Sequence, residues 1–361
     1  MNYFWSLYIN LDSKFQKTTI IITFLIIFFK MGHEIITTST GKINEYLHHI
    51  DLEEFGKKKI LSSFIAEFND FSMFLDCGSS LEVSHLLNYA NKNKIDLSKV
   101  KYLITTHHHF DHCGGMWKLY EEIKKSNSEV KILTNEKTKE LLNNYEFHLN
   151  RAKRTFGDYI GEMRPIEDKA FKLIDLEEDF EYGINSIDII DNFETKESEI
   201  KLAILKTPGH TYDHQCPIFI KDGEIDFIFY GEAVGTIYHS TELLTMPTSM
   251  PTFFNFKEYM LTLKKLKDLI PLRAGFGHFG VVNGKKNLQK TFSEHESLMR
   301  DFRSKVIQYY SEKPETRYVV NKILPSFIHR TDLIGDAHPI MNNLILGIVY
   351  GMMMDLGYRK T

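Results

Sequence analysis

Cysteine is scarce in this chain. Only Cys77, Cys113 and Cys216 occur among 361 residues, odd in number and far apart. No CxxC pair exists, so the usual thiolate zinc sites are removed, no disulfide framework is expected, and any metal must be held by histidines and carboxylates. That cysteine usage points to a reducing compartment, and a cytoplasmic location is expected. A basic excess is also missing: the formal net charge is −4, which gives no electrostatic case for nucleic acid. There is no GxSxG elbow for a serine nucleophile and no GxxxxGK[ST] loop for a nucleotide. Internal repeats are absent as well.

A long apolar run is lacking too. The best candidate, Thr18 to Phe29, has 12 residues between Lys17 and Lys30, whereas a spanning helix needs about 20. The following "KMGHEI" lacks the small-residue cleavage site of a signal peptide. Two readings stand: a core or interfacial segment, or a start-site extension with the native chain beginning at Met31. The second is preferred because regular patterning begins just after Met31. Membrane association is expected only if residues 18–29 are a native anchor.

What is present fits a large folded chain. Hydrophobic residues make up 43% and charged residues 25%, enough for a sizeable core. The patterning alternates between strand and helix. "EIITTST", "YLHHIDL", "ILSSFIAEF" and "FSMFLDCGSS" read as strands, and "SLEVSHLLNYANKN" as a helix. "KVKYLITT" is a buried strand and "GGMWKLYEEIKKS" an amphipathic helix; "EVKILTN" is a further strand. Lys137 to Met163 reads as one charged, aromatic-rich helical stretch, either an ordinary solvated helix or an insertion walling a site. "QCPIFIKDGEIDFIFYGE" is a hairpin turning at Asp222–Gly223. After "RAGFGH" the chain is expected to stay helical, through "NLQKTFSEHESLMRDFRSKVIQYYS" and "IMNNLILGIVYGMMMDLGY".

Chemistry concentrates in "TTHHHFDHCGGM", where four histidines and an aspartate fall within six positions. In an extended stretch side chains two apart share a side. His107, His109 and Asp111 can therefore converge, His112 turns with the start of the helix, and His108 points away and is set aside. Three further metal-capable groups end strands: His210 in "TPGH", Glu232 in "FYGE" and His278 in "GFGH". The hairpin folds residue 232 back beside residue 210. The remaining histidines, among them His48, His49, His148 and His295, are expected to be ordinary polar residues; His214, four residues past His210, is the least settled.

As a set, "THHHFDH", "TPGH", "YGE" and "FGHFG" resemble the metallo-β-lactamase-fold hydrolases, and among them the glyoxalase II and lactonase branch. The resemblance runs from Glu34 to Val282. It implies an α/β fold, an αββα sandwich, here with a C-terminal helical extension. The implied layout is an N-terminal extension over 1–30, a catalytic domain over 31–282 and a helical region over 283–361. It also implies two divalent ions, zinc first, with iron or manganese as alternatives. His107, His109 and His210 would hold one, and Asp111, His112 and His278 the other. Glu232 stands where the family has a bridging aspartate, one methylene shorter. Asp76, in "LDCG", corresponds to a position that supports the ligands from behind. The implied reaction is attack of a metal-bound hydroxide on an ester, thioester or lactone carbonyl of a small molecule, with Asp111 relaying the proton. An iron-dependent oxygenase and a non-catalytic metal-binding protein on the same fold are the alternatives.

Overall fold

The computed structural model describes residues 34–175, 187–332 and 339–360, and the statements below concern those residues. The apolar run over 18–29 lies outside them. No described helix is long and apolar enough to cross a membrane.

In chain order the strands are β1 (Ile36–Thr37), β2 (Gly41–Lys42), β3 (Leu47–Asp51), β4 (Ser62–Glu67), β5 (Ser72–Leu75), β6 (Val100–Ile104), β7 (Lys131–Thr134) and β8 (Phe171–Leu173). They continue with β9 (Ile189–Glu194), β10 (Glu199–Lys206), β11 (Gln215–Lys221), β12 (Glu224–Phe229), β13 (Thr236–Ile237), β14 (Thr245–Met246), β15 (Arg273–Phe276) and β16 (Gly280–Asn283). The helices are α1 (Val83–Lys92), α2 (Phe110–Cys113), α3 (Met116–Lys124), α4 (Glu136–Asn143), α5 (Glu146–Phe156), α6 (Phe256–Lys267), α7 (Lys285–Glu312), α8 (Thr316–Ile328) and α9 (Pro339–Asp355).

Strands β2 to β8 form one seven-stranded sheet in sequential order. The second sheet, also seven-stranded, runs β1-β16-β15-β12-β11-β10-β9. Period-two alternation sorts their side chains into three apolar layers. Phe64, Met73 and Tyr102 of the first sheet meet Leu202, Phe219 and Phe227 of the second in the central layer. The intervening residues face outward. Ile65, Phe74 and Leu103 pack under α1 and α3 through Leu86 and Leu119. Ile218 and Ile228 pack under α6 and α7 through Leu263 and Phe292. Helices α8 and α9 join that outer layer through Ile323 and Val349. The result is an αββα sandwich with a C-terminal helical region.

Topology then delivers the site. Strands β10 and β12 both pair antiparallel with β11, and β12 pairs parallel with β15. All three therefore end at the same edge, and residues 210, 232 and 278 follow those ends. On the other sheet β5, β6 and β7 run parallel, so Asp76 and the histidine cluster also leave from neighbouring strand ends.

Three expectations are corrected. The stretch 137–163 is two helices, α4 and α5, parted at Asn144–Tyr145 and followed by a short 3-10 turn over Gly157–Tyr159. Its charge pattern hides that break, because helix propensity is nearly level across Asn, Tyr and their neighbours. Strand β16 interrupts the C-terminal part before the helices begin, pairing with β15 and β1; "GVV" was too short to stand out. The "EIITTST" strand is only two paired residues long in β1.

Phe64 tests the central layer. It is fully buried and its ring lies 5.2 Å from Phe227 and 4.9 Å from Phe229 across the sheets. Phe64→Ala is expected to cost about 3–5 kcal/mol in chemical denaturation, with the unfolding slope unchanged.

Candidate metal centre

Helix α2 starts one residue earlier than an extended reading requires. His109 is its N-cap, with φ −60° and ψ 146°. The turn therefore begins at Phe110, and Asp111 and His112 fall in a different group from His107 and His109, although the His107 and His112 rings lie 4.3 Å apart. Two groups result: His107, His109, His210 and Glu232, and Asp111, His112 and His278, with the ligand atoms of each group within 4.8 Å of one another. Every residue singled out from the sequence as a ligand falls into one of them.

Hydrogen bonds fix how each ring points. His210 Nδ1 lies 2.6 Å from the Thr248 carbonyl oxygen and His278 Nδ1 lies 2.7 Å from that of Ile60. A carbonyl only accepts, so both Nδ1 atoms carry the proton and donate. His112 Nδ1 lies 2.8 Å from Asp76 Oδ2. The Thr106 hydroxyl donates to the same oxygen at 2.7 Å, so it accepts from His107 Nδ1 at 2.9 Å. Asp76 Oδ1 takes the Thr106 N–H at 2.7 Å. In all four rings the Nε2 lone pair is thus turned inward, which is how metal-ligating histidines are oriented.

The inward atoms crowd one another. His210 Nε2 lies 3.1 Å from His107 Nε2 and 3.1 Å from His109 Nδ1. Glu232 Oε2 lies 2.7 Å from His210 Nε2, 3.3 Å from His107 Nε2 and 3.6 Å from His112 Nε2. It thereby stands between the two groups. Asp111 Oδ2 lies 3.3 Å from His278 Nε2. His112 Nε2 is buried and has no hydrogen-bond partner. Facing lone pairs at such distances repel unless a cation lies among them, so the donor set fits divalent metal.

Electrostatics agree with that fit in the first group, whereas at His112 burial is outweighed by the carboxylates of Asp111 and Asp76, which raise the imidazole well above its ordinary range. Burial, with His112 and His109 adding to it, pushes His107 well below the ordinary histidine range, and burial takes His109 down to about 4. Both are neutral at pH 7, the form that ligates. Burial opposes charge on Glu232 as well, but His210 and His107 outweigh it and hold the carboxyl well below its usual range. Asp111 is likewise held down to about 2, by His112 and His278 against burial.

Close packing sets the backbone here. Gly231 has φ +53°, and a Cβ on it would stand 2.9 Å from His214 Nε2 and 3.0 Å from Thr106. A side chain would push Glu232 out of place.

Several supports were invisible in the sequence. His108 belongs to neither group, but it is no idle loop residue: it lines the cavity beside them, its ring lies 4.9 Å from that of His109, and its N–H and Nδ1 engage Asp213 at 2.9 and 2.8 Å. Asp213 also takes the Thr138 hydroxyl at 2.9 Å. His214 stacks on His107 with ring centres 5.0 Å apart, and its Nε2 accepts the Glu232 N–H at 3.3 Å. The hydroxyl of Tyr259 lies 3.2 Å from the Glu232 carbonyl oxygen and 2.8 Å from His295 Nε2. Thr245 donates to Glu294 and so accepts from His295 Nδ1 at 2.8 Å. That chain ties α7 to the loop carrying Glu232.

The centre opens into a cavity of about 870 Å³, reached by His109, Asp111, Glu232 and His278. Its walls are largely apolar, from α2, α5, α9 and the Pro247–Thr252 segment. Glu54, buried on the loop between β3 and β4, also lines it. Burial, then Asp111, raises the Glu54 carboxyl well above its usual range.

Comparison with known proteins follows the same lines. A family model described as the metallo-beta-lactamase superfamily matches residues 60–278. The metallo-beta-lactamase fold-containing protein ST1585 of Sulfurisphaera tokodaii is 26% identical over 238 residues, 62% of this chain and 80% of that protein. The crystal structure of ST1585, described as an archaeal metallo-beta-lactamase superfamily protein from Sulfolobus tokodaii, superposes with a TM-score of 0.57 at 21% identity. It covers 86% of this chain and 99% of that one. A B3 metallo-beta-lactamase described by an active-site glutamic acid covers 76% of this chain and 93% of its own at 11% identity, with a TM-score of 0.49.

His295 carries a pH prediction. Burial lowers its folded pKa to about 3 from 6.5. The unfolded chain takes up this proton as pH falls through about 6.5, while the folded chain refuses it. Stability from this group is therefore full above pH 6.5 and is lost between pH 6.5 and 3, by about 1.4 kcal/mol per unit. His295→Gln should be less stable at pH 7.5, and urea unfolding should show the gap to the parent narrowing toward pH 4.5.

Proposed function

From the premise that the chain belongs to the metallo-β-lactamase superfamily, we propose that it is a metal-dependent hydrolase of an ester, thioester or lactone, in the glyoxalase II and lactonase-like branch. The observation that carries the reading is the convergence of five imidazoles and two carboxylates at the floor of an apolar cavity. The branch is supported by "THHHFDH", "TPGH", "YGE" and "FGHFG", and the cytoplasmic assignment by three free thiols.

His107, His109 and His210 would hold one divalent ion, Asp111, His112 and His278 a second, with Glu232 Oε2 between them. The nitrogen and oxygen donors suit zinc, with iron or manganese as alternatives. When bound, such ions supply Lewis acidity and acidify water toward neutral pH. The chain's own residues do the rest. Asp76 keeps His112 and, through Thr106, His107 in the ligating tautomer. The Asp111 carboxylate faces the cavity and takes up the proton that the attacking water loses. The apolar walls exclude bulk water and hold the acyl part of a small-molecule substrate against the ions. No nucleic-acid partner is proposed.

Metal quantitation beside a panel of thioesters, lactones, esters and phosphodiesters tests this reading. We expect about two ions per chain and turnover of carbonyl substrates. One iron per chain with oxygen consumption would overturn it in favour of an oxygenase, and full metal without turnover would favour a binding protein. His109→Ala should lose activity and metal while staying folded. Asp76→Asn should weaken metal affinity about 10- to 100-fold. Glu232→Asp should keep or raise activity, and Glu232→Ala should lower the metal content; an unchanged metal content in the latter would show that Glu232 is not a ligand.

A further inference from the structure

His107 is gripped from both sides by buried carboxylates, one from each sheet. Asp76, at the end of β5, takes the N–H of Thr106 at 2.7 Å. Asp213, 2% exposed, takes the N–H of His108 at 2.9 Å through Oδ2 and the His108 Nδ1 at 2.8 Å through Oδ1. Burial opposes charge on Asp213, but His108 outweighs it and keeps the carboxyl well below its usual range. The carboxylate therefore accepts both bonds. Asp213 lies three residues past His210, on the loop between β10 and β11. That loop is fastened to the histidine loop again at the first residue of β11. The Gln215 N–H donates to the Thr106 carbonyl at 2.8 Å, and its Nε2 donates to that of Thr105 at 2.8 Å. The start of α4 closes the frame. Asn135 Nδ2 donates to the Asp213 carbonyl at 2.9 Å, and the Thr138 hydroxyl donates to its carboxylate at 2.9 Å.

These contacts bear on one group of the centre. Its imidazoles come from two loops, His107 and His109 from the first sheet and His210 from the second. A slide of one loop against the other would pull the three rings off a common point. Asp213 joins the loops, because its main chain continues from His210 while its carboxylate holds the peptide between His107 and His109. The second group has other supports. The His112 ring is held by Asp76, its carbonyl takes the Cys77 N–H at 2.8 Å, and the His278 ring is held by the Ile60 carbonyl. Among the described residues, none of the hydrogen bonds of Asp213 reaches that group. Groups behind the ligands commonly set a metal's affinity by fixing the ligands before it arrives. We infer that Asp213 is a positioning residue for the first ion: through the main chain of His108 it holds His107 and His109 at the distance from His210 that a cation requires. This assignment rests on the two-ion part of the proposed function and is independent of the substrate.

The test is zinc retention by the loaded protein, measured after dialysis against a weak chelator. The parent should keep about two ions per chain. Asp213→Ala should keep about one, with the affinity for the first ion lowered about 10- to 100-fold. Adding His278→Ala to that variant should remove the remaining ion, which places the Asp213 effect in the first group. Asp213→Ser, too short to reach the loop, replaces the Ala variant if the latter does not fold. Asp213→Asn keeps an oxygen for the His108 N–H and can donate its amide to His108 Nδ1 in the other tautomer, so it should hold the first ion within about threefold of the parent. His108→Phe, which keeps the main-chain N–H, should do the same. Retention of both ions by Asp213→Ala, or loss of both together, overturns the assignment. So does an Asn variant as weak as the Ala variant, which would make charge rather than position the cause. Loss of the first ion in His108→Phe overturns it as well, since the ring and not the main chain would then carry the effect. Turnover plays no part in these readouts. Two ions without turnover would sink the hydrolase reading and leave Asp213 standing, whereas a parent that keeps no zinc overturns both.

Discussion

The Asp76 carboxylate holds the two groups of the centre in one frame. Its Oδ2 takes His112 directly and takes the Thr106 hydroxyl, which in turn takes His107. One buried acid therefore sets the tautomer of a ring in each group. It emerges from the end of β5 beside the end of β6, so parallel pairing of those strands places it under the loop it supports. The carbonyls of Thr248 and Ile60 perform the same task for His210 and His278 from the other side. Inward lone pairs are thus imposed by groups that are not themselves ligands.

Much of this was legible in the sequence, and the reasons differ by residue. The alternation of strands and helices was legible in the apolar patterns, whereas the αββα order came only with the resemblance carried by the motif set. The gathering of the candidate ligands was legible because strand ends followed by Gly or a turn deliver side chains to one edge. Alternation set His108 apart from the two groups, yet it was silent on Asp213, to which His108 is hydrogen-bonded. It also treated residues 107–111 as one extended run, whereas the helix starts at Phe110 and parts Asp111 from the first group.

What stayed hidden has a common physical character. Main-chain carbonyls have no letter, so the supports of His210 and His278 could not be read. Glu54 sits in "DLEEFGKKK", which looks like a solvated charged loop; only left-handed turns at Glu53 and Phe55 send its carboxyl inward. His295 lies in a long helix whose pattern gives no hint of the chain through Tyr259 to Glu232.

The donors come from both sheets: residues 107 to 112 leave the β2–β8 sheet, and 210, 232 and 278 leave the other. A cation held among them is therefore a cross-link between two layers that also meet through the rings of Phe64, Phe227 and Phe229 and through hydrogen bonds such as Gln215 N–H to the Thr106 carbonyl. Its affinity and the docking of the sheets become one thermodynamic quantity, because whatever binds only the assembled sandwich stabilises it. A sub-ångström slide of one sheet over the other would be felt first as a change in bite, long before any strand pairing is lost. The centre is in that sense a gauge of the sandwich's own alignment.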